Sequence, residues 1–254
     1  MEADSSKVMY SGMVLSRFML LGASLGYIFK GLTIATRYSL LRKQFRDADN
    51  NEIRIYDYQL QKEKLFTILA QAYAMASCVP LTQNLVSEVM SRAQNKDFSM
   101  LKTCHLKLSG YKAVFSRWVT TGMTTLIQAC GGHGYSHFSG LPHLMVESFA
   151  DTIQEGENSV LVLQISRELV KSFQKISVGR FESVDDEYQY LRKFKELSGW
   201  VLPMSKQALG DGQLLIQLFE KISVNLTKDA SSHLFEKVSE GMDPKTVSSP
   251  EYFP

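Results

Sequence analysis

Apolar residues recur at helical spacing along most of this chain. Between Val8 and Phe45 there is no proline, and Val14, Phe18, Leu21, Leu25, Ile28 and Leu32 share one stripe. Steps of three and four residues of this kind predict a long amphipathic helix. Its basic end, "RKQFR", suits the negative pole of a helix dipole. "RDADNNEIR" then reads as a polar loop. A second helix is predicted from about Ile55 to Ala93, with Leu65, Leu69, Ala72, Tyr73 and Ala76 on its apolar side and Pro80 kinking or splitting it. After a turn at "QNKDFS", where Asp97 or Ser99 is placed to cap, a third helix runs from about Met100 to Ala129.

The pattern then breaks. "CGGHGYSHFSGLPHLMVES" is rich in glycine and reads as a long loop between helices, the kind that is usually functional. A fourth helix starts near Asn158, "SVLVLQISRELVKSFQK", apolar nearly all round and so expected to be buried. "ISVGRFESVDDE" reads as a linker, followed by shorter helices at about Glu187–Ser198 and Pro203–Thr227. No convincing strand and no internal repeat is visible. The predicted fold is all-α: an antiparallel four-helix bundle over 8–177 after a tail at 1–7, a partial second helical domain at 178–228, and a loosely ordered polar tail at 229–254.

Composition narrows the function without naming it. A chain of 254 residues has length for a sizeable core, and a net charge of +2 gives no electrostatic grip on nucleic acid. Cys78, Cys104 and Cys130 are scattered with no C-x-x-C pair, which points to reduced thiols in an intracellular setting. "MEADSSKV" is neither a secretory nor an Arg-rich transit leader. "FMLLGASLGYIF" is bracketed by Arg17 and Lys30 and falls short of the roughly 18 residues a span needs, so no transmembrane segment is expected.

Three groups of residues have chemical potential. His133 and His137, with His143 beyond, have i, i+4 spacing, but the glycines around them argue against a helical metal face and for histidines bonded to loop backbone. "GGHG" either cradles a phosphate through backbone amides or makes a tight turn, and it lacks the Lys-Ser/Thr of a P-loop. Glu147, Asp151, Glu155 and Glu157 cluster before the fourth helix. They are either helix-start charges or include one base in an apolar pocket, its pKa raised by desolvation. Spacing does not choose among the four. Arg167, on the stripe of Val160, Leu163 and Gln164, implies a polar site under that helix.

"QACGGHGYSHFSGLP", Gln128 to Pro142, and "EGENSVLVLQISRELVKS", Glu155 to Ser172, resemble the signature of acyl-CoA oxidases, the oxygen-using relatives of acyl-CoA dehydrogenases. "ATRYSLLRKQF" and "YDYQLQKEKLF" are similar to the first two C-terminal helices of that family, and the blocks come in its order over roughly Val8 to Ser198. The resemblance implies an FAD-dependent reaction of acyl-CoA with O2 in fatty acid β-oxidation, giving trans-2-enoyl-CoA and H2O2. Glu155 would be the α-proton base and its backbone N–H would polarise the thioester carbonyl. Arg167 would lie behind it. Gln128, Gly131 and Gly132 would contact the FAD diphosphate, often that of a partner subunit. Arg42 and Gln59 would serve the same cofactor site, and Glu157 with Asn158 the flavin-side turn. No metal is implied.

The same resemblance implies a homodimer, or an N-terminal half on another chain, and a peroxisome with the mitochondrion as the alternative. "EYFP" is not a peroxisomal tripeptide of the S-K-L type. Three departures accompany it. The chain corresponds to the C-terminal helical half of the family, without the N-terminal helical domain and middle β-domain. The stretch after Ser198 is short and dissimilar. Arg46 stands where the dehydrogenases carry glycine. Two readings follow: part of a flavin-dependent oxidase, or a catalytically inactive bundle serving as a structural subunit.

Overall fold

A computed structural model describes residues 2–242 apart from 202, 204, 206 and 207, with side chains of 2–10 and 209 outside the description. The chain divides into two units, the first ending at Val162 and the second beginning at Leu163.

Three long helices build the first unit: α1 (Glu2–Leu41), α2 (Gln59–Gln94) and α3 (Leu101–Ala129), each in contact with the other two. The stripe predicted on α1 is the one that is buried, with Val14, Leu21, Ile28 and Ala35 in the core. On α2 the buried stripe is Leu65, Ile68, Ala72 and Met75, while Tyr73 faces outward, one step off the expected face. Val119, Met123 and Leu126 of α3 close the core. Gly122 and Gly31 mark the closest approaches, where an added Cβ would meet Ile28 and Met123 side chains respectively.

Several local expectations change. Pro80 does not split α2, which is helical through it. Its ring nitrogen has no hydrogen to give Ala76, and Thr82 bonds back to the Cys78 and Val79 carbonyls at 3.2 and 2.8 Å nearby. The polar stretch after α1 is an antiparallel hairpin, β1 (Lys43–Arg46) and β2 (Glu52–Arg54), although no strand was expected there. Asp47 Oδ1 accepts from the Asp49 and Asn51 amides and Arg46 Nη1 donates to the Asn50 carbonyl, so this tip is closed by side chains. The glycine-rich stretch is mostly short helix: α4 (Gly132–Tyr135), a 3₁₀ turn at His137–Ser139 and α5 (Leu141–Ala150), which packs on α3 and α1.

Helix α6 (Asn158–Ser177) carries the chain from the first unit into the second. It is not buried all round: Leu161, Val170, Phe173 and Ile176 are buried, whereas Val160 and Val162 are about half exposed and Arg167 is exposed. The second unit holds 3₁₀ turns at Phe181–Ser183 and Asp186–Lys193, then α7 (Phe194–Ser198), then α8 (Gly212–Ser239). Thus the expected helix 187–198 is mostly 3₁₀, and the tail expected to be loose from Asp229 is helical to Ser239. The start of the expected Pro203–Thr227 helix lies partly outside the described residues. Asp211 caps α8 by accepting from the Gln213 and Leu214 amides. Leu191, Leu197, Val224 and Phe173 form the core of this unit, with the Lys193–Glu220 ion pair, 2.7 Å, at its edge.

By length and composition alone, Ser11–Leu41 and Gln59–Gln94 would also suit a membrane span. Here each turns one face into the core of the first unit, and each carries polar side chains there: Arg17 and Ser24 on α1, Thr82 on α2.

Candidate functional site

The candidate residues fall at two ends of the α1–α3 pair. One end is the turn between α5 and α6. Ile153 and Gln154 donate to the Ala150 carbonyl and Asn158 to Thr152, which closes a compact loop. Glu155 and Gly156 then both take positive φ, +57 and +110. Only glycine suits the second position, because an added Cβ would also strike the Leu161 side chain at 2.8 Å. For Glu155 such a backbone is sparsely populated and persists only where surroundings enforce it.

The enforcement comes from below. Arg17, 2% exposed, donates from Nε to the Glu155 carbonyl at 3.0 Å, and from Nη1 to His105 Nδ1 at 2.6 Å and Ser109 Oγ at 3.1 Å. Arginine has no acceptor, so Nδ1 of His105 accepts and the ring carries its proton on Nε2. Lys112, 1% exposed, donates to the Gly156 carbonyl at 2.6 Å and to Asn158 Oδ1 at 3.0 Å. Asn158 Nδ2 in turn donates to Ser116 Oγ at 2.9 Å. Burial, and then the Arg17 charge, push the Lys112 ammonium down to about 8, while Asp151, Glu157 and Glu155 act the other way.

The four acids now separate. Asp151, 4% exposed, is the buried one: desolvation raises its pKa, moderated by the hydrogen bond from Ser24 at 3.1 Å. Glu157 accepts from the Ser159 and Val160 amides at 2.9 and 3.3 Å, which caps α6 and lowers its pKa, chiefly through the Ser159 amide. Glu155 is half-buried, and its carboxylate has no hydrogen-bond partner among the described residues. Nor do the backbone N–H groups of Glu155, Gly156 and Glu157 among those residues. One turn thus carries a carboxylate and three amide donors unbonded among the described residues, with the Glu155 and Gly156 carbonyls held by Arg17 and Lys112.

Arg167 lies on the second-unit stretch of α6, and its side chain is exposed rather than buried. The cation that touches the Glu155 backbone is Arg17, which sequence reasoning treated only as the charge ending an apolar run. Lys112 and His105 were missed as well. A signal was present: Arg17 continues the Val14–Leu21 stripe, and Lys112 continues that of Leu108, Phe115 and Val119. A charge in an apolar stripe demands buried partners.

The other end is an open cleft of about 420 Å³, lined by Tyr38, Arg42, Phe45, Tyr58, Gln61, Lys64, Gln128 and Cys130 to His133, among others. It gathers Arg42, Gln128, Gly131 and Gly132 as expected. Gln59 is exposed on the first turn of α2 and does not line it; Gln61 does, donating to Ser39 Oγ and to the Ala129 carbonyl, both at 2.9 Å. Phe45 stands in the hairpin with φ +64 and its ring exposed at the rim. Cys130 is a packing residue, its thiol pushed up to about 11 by burial.

The glycines of this loop have different reasons. Gly131 has φ +58, and at Gly134 an added Cβ would collide with the Ile127 carbonyl, so turn geometry and close packing account for both. Gly132 has neither constraint; the space where its Cβ would be is open. His133 bonds through Nδ1 to the Tyr38 hydroxyl at 3.1 Å rather than to loop backbone. Among the described residues no group of three or more His, Cys, Asp or Glu is placed to hold a metal. Among the described residues the lining has the basic side chains of Arg42 and Lys64 and no carboxylate, a donor set that suits a diphosphate.

Comparison with known proteins gives one consistent result. A family model described as "Acyl-CoA oxidase, C-alpha1 domain" matches residues 10–170. The rabbit (Oryctolagus cuniculus) peroxisomal acyl-coenzyme A oxidase 2 is 41% identical over 165 residues, 64% of this chain and 24% of that protein. The Arabidopsis thaliana acyl-CoA oxidase 1 structure superposes with a TM-score of 0.85 at 26% identity, covering 95% of this chain and 37% of that one. Acyl-CoA oxidase-2 of Caenorhabditis elegans, solved with FAD, ascaroside-CoA and ATP, gives 0.83 at 29% identity, over 95% and 35%. The chain therefore spans from about a quarter to somewhat over a third of the length of these relatives.

Proposed function

This chain belongs to the acyl-CoA oxidase family, and from that premise we propose that it supplies the base and part of the flavin seat of a peroxisomal FAD-dependent acyl-CoA oxidase. The observation that carries this reading is the turn at Glu155, whose carboxylate and three successive amides have no hydrogen-bond partner among the described residues and which rests on two buried cations. Glu155 takes the α-proton of an acyl-CoA thioester. The thioester oxygen is received by the free amides of the turn, which stabilise the charge that develops as the proton leaves. When bound, FAD supplies the acceptor for the β-hydride and passes the electrons to O2, yielding H2O2. Glu157 plays no part in proton transfer; its carboxylate is occupied by the start of α6.

The cleft at the other end is the proposed seat of an FAD diphosphate, held by Arg42, Gln128 and the Gly131–Gly132 backbone, with Lys64 in addition. Along α3, Lys112 and Gln128 are separated by about 24 Å at roughly 1.5 Å per residue. A ribityl chain of a few carbons cannot span that distance between a flavin ring at Glu155 and a diphosphate at Gln128. Each chain therefore contributes its turn to one active site and its cleft to another, which supports a homodimer with shared sites. The test is flavin absorbance and acyl-CoA-dependent H2O2 release from the native assembly. Both are expected in the parent, Glu155→Gln should abolish the second alone, and Gln128→Ala should weaken the first. Undiminished H2O2 release from Glu155→Gln would overturn the assignment of the base.

A further inference from the structure

The reading of Glu155 as base leaves unexplained a fully buried lysine directly beneath it. We propose that Lys112 is a positioning residue: by holding the Gly156 carbonyl and the Asn158 side chain, its ammonium fixes the Gly156–Glu157 peptide plane, next to the Glu155–Gly156 plane held by Arg17, and so helps to aim both the Glu155 carboxylate and the amides of the turn.

Four observations carry this. Lys112 is the largest of the fully buried side chains among the described residues, and it ends in an ammonium. Its two acceptors, Gly156 O and Asn158 Oδ1, flank the turn on either side of Glu157. Asn158 is itself locked from the far side by Ser116, so the ammonium sits in a fixed frame rather than at the end of a mobile arm. Finally, a trans peptide is planar, so drawing the Gly156 carbonyl inward to Lys112 sends the Glu157 N–H to the opposite, outer side. Arg17 does the same for the Glu155 carbonyl and hence the Gly156 N–H. Two adjacent residues at positive φ are thereby stabilised against relaxing into ordinary backbone.

Two buried cations side by side are a costly way to brace a loop, since each is taken out of water and they repel each other. A hydrophobic residue would pack as well. The arrangement is intelligible if what it secures is direction rather than stability. The inference rests on the assignment of Glu155 as base, and the two are separable by experiment.

The discriminating variant is Lys112→Met, similar in volume and without donors. The full chain, isotopically labelled, is compared with the parent by denaturant unfolding and by the backbone amide and α-carbon resonances of Glu155, Gly156 and Glu157. The expected result is an unfolding midpoint unchanged or raised, together with loss of the positive-φ shifts and faster amide exchange confined to the turn. In the flavin-loaded assembly the same variant should lower kcat for flavin reduction about 100-fold with little change in KM, the scale of a small misplacement of a catalytic group. Asn158→Ala should do the same to a lesser degree, and a small primary ammonium ion should partly restore Lys112→Ala. Turn resonances and kcat both unaltered by Lys112→Met would overturn the proposal. Loss of turn geometry with activity that is insensitive to Glu155→Gln would retain the brace and remove the base.

Discussion

The two ends of the α1–α3 pair are built on opposite plans. At the turn, side chains from α1 and α3 reach inward, every cation has a named partner, and the backbone is held in a conformation it would not otherwise keep. At the cleft, Arg42, Gln128, Gly131 and Gly132 are exposed, and the loop is shaped by its own glycines. The first is a turn braced by buried side chains of this chain, and the second an open surface of exposed polar groups. Pre-organisation belongs where a proton must move, because a base is effective only at a fixed distance from its substrate. A phosphate grip tolerates more freedom.

The contrast is broken most strongly by removing Arg17. Arg17→Ala leaves the Glu155 carbonyl and His105 without their buried donor and should cost about 3–5 kcal/mol of stability, read from the shift in urea midpoint. Arg42→Ala, at the exposed end, should stay within about 0.5 kcal/mol while weakening flavin binding. Next in size is Gly134→Ala, whose new methyl meets the Ile127 carbonyl and should cost about 1–3 kcal/mol. Gly132→Ala, with open space at the same point of its backbone, should leave the melting temperature almost unchanged and reduce only ligand affinity.

A third effect is set by pH. Lys112 titrates near 8 in the fold against 10.5 when exposed, so between those values the unfolded chain binds more protons. Stability contributed by this group therefore rises as pH climbs from about 8 to 10.5, and is absent below. The groups facing it are Arg17 from α1, Asp151 after α5, and Glu155 and Glu157 of the turn. Lys112→Met should flatten this part of a melting-temperature profile. The smallest effect is expected from Glu157→Gln: a slight drop in melting temperature at neutral pH that vanishes below the ordinary carboxylate range, since a depressed carboxylate contributes only while ionised.

The open end was much more legible in the sequence than the closed one. Glycines, an exposed arginine and a glutamine on a loop advertise themselves by type and order, and Arg42, Gln128, Gly131 and Gly132 do meet in one cleft. Glu155 and Glu157 were visible as a pair, but only the bonds made by Glu157 to α6 show which of them is occupied. Arg17, Lys112 and Asp151 were hidden because a charged residue on a helix ordinarily faces water, and their partners lie far away in the chain. The expected burial of α6 differs for the converse reason: a helix apolar on several sides reads as buried on all of them, yet Val160, Val162 and Arg167 are exposed. The hairpin after α1 was missed because its strands are short and exposed, with no alternation to read.

The proposed role of the turn at Glu155 is that of a proton-abstracting site made ready by the cations beneath it. It is tested most directly by α-proton exchange, which needs no hydride transfer. An acyl-CoA analogue that cannot be oxidised is incubated in D2O with the native assembly, and α-deuterium uptake is followed by mass. Exchange is expected with the parent, slowed about 100-fold by Lys112→Met, and absent above background with Glu155→Gln. Exchange at the parental rate in Glu155→Gln would contradict it.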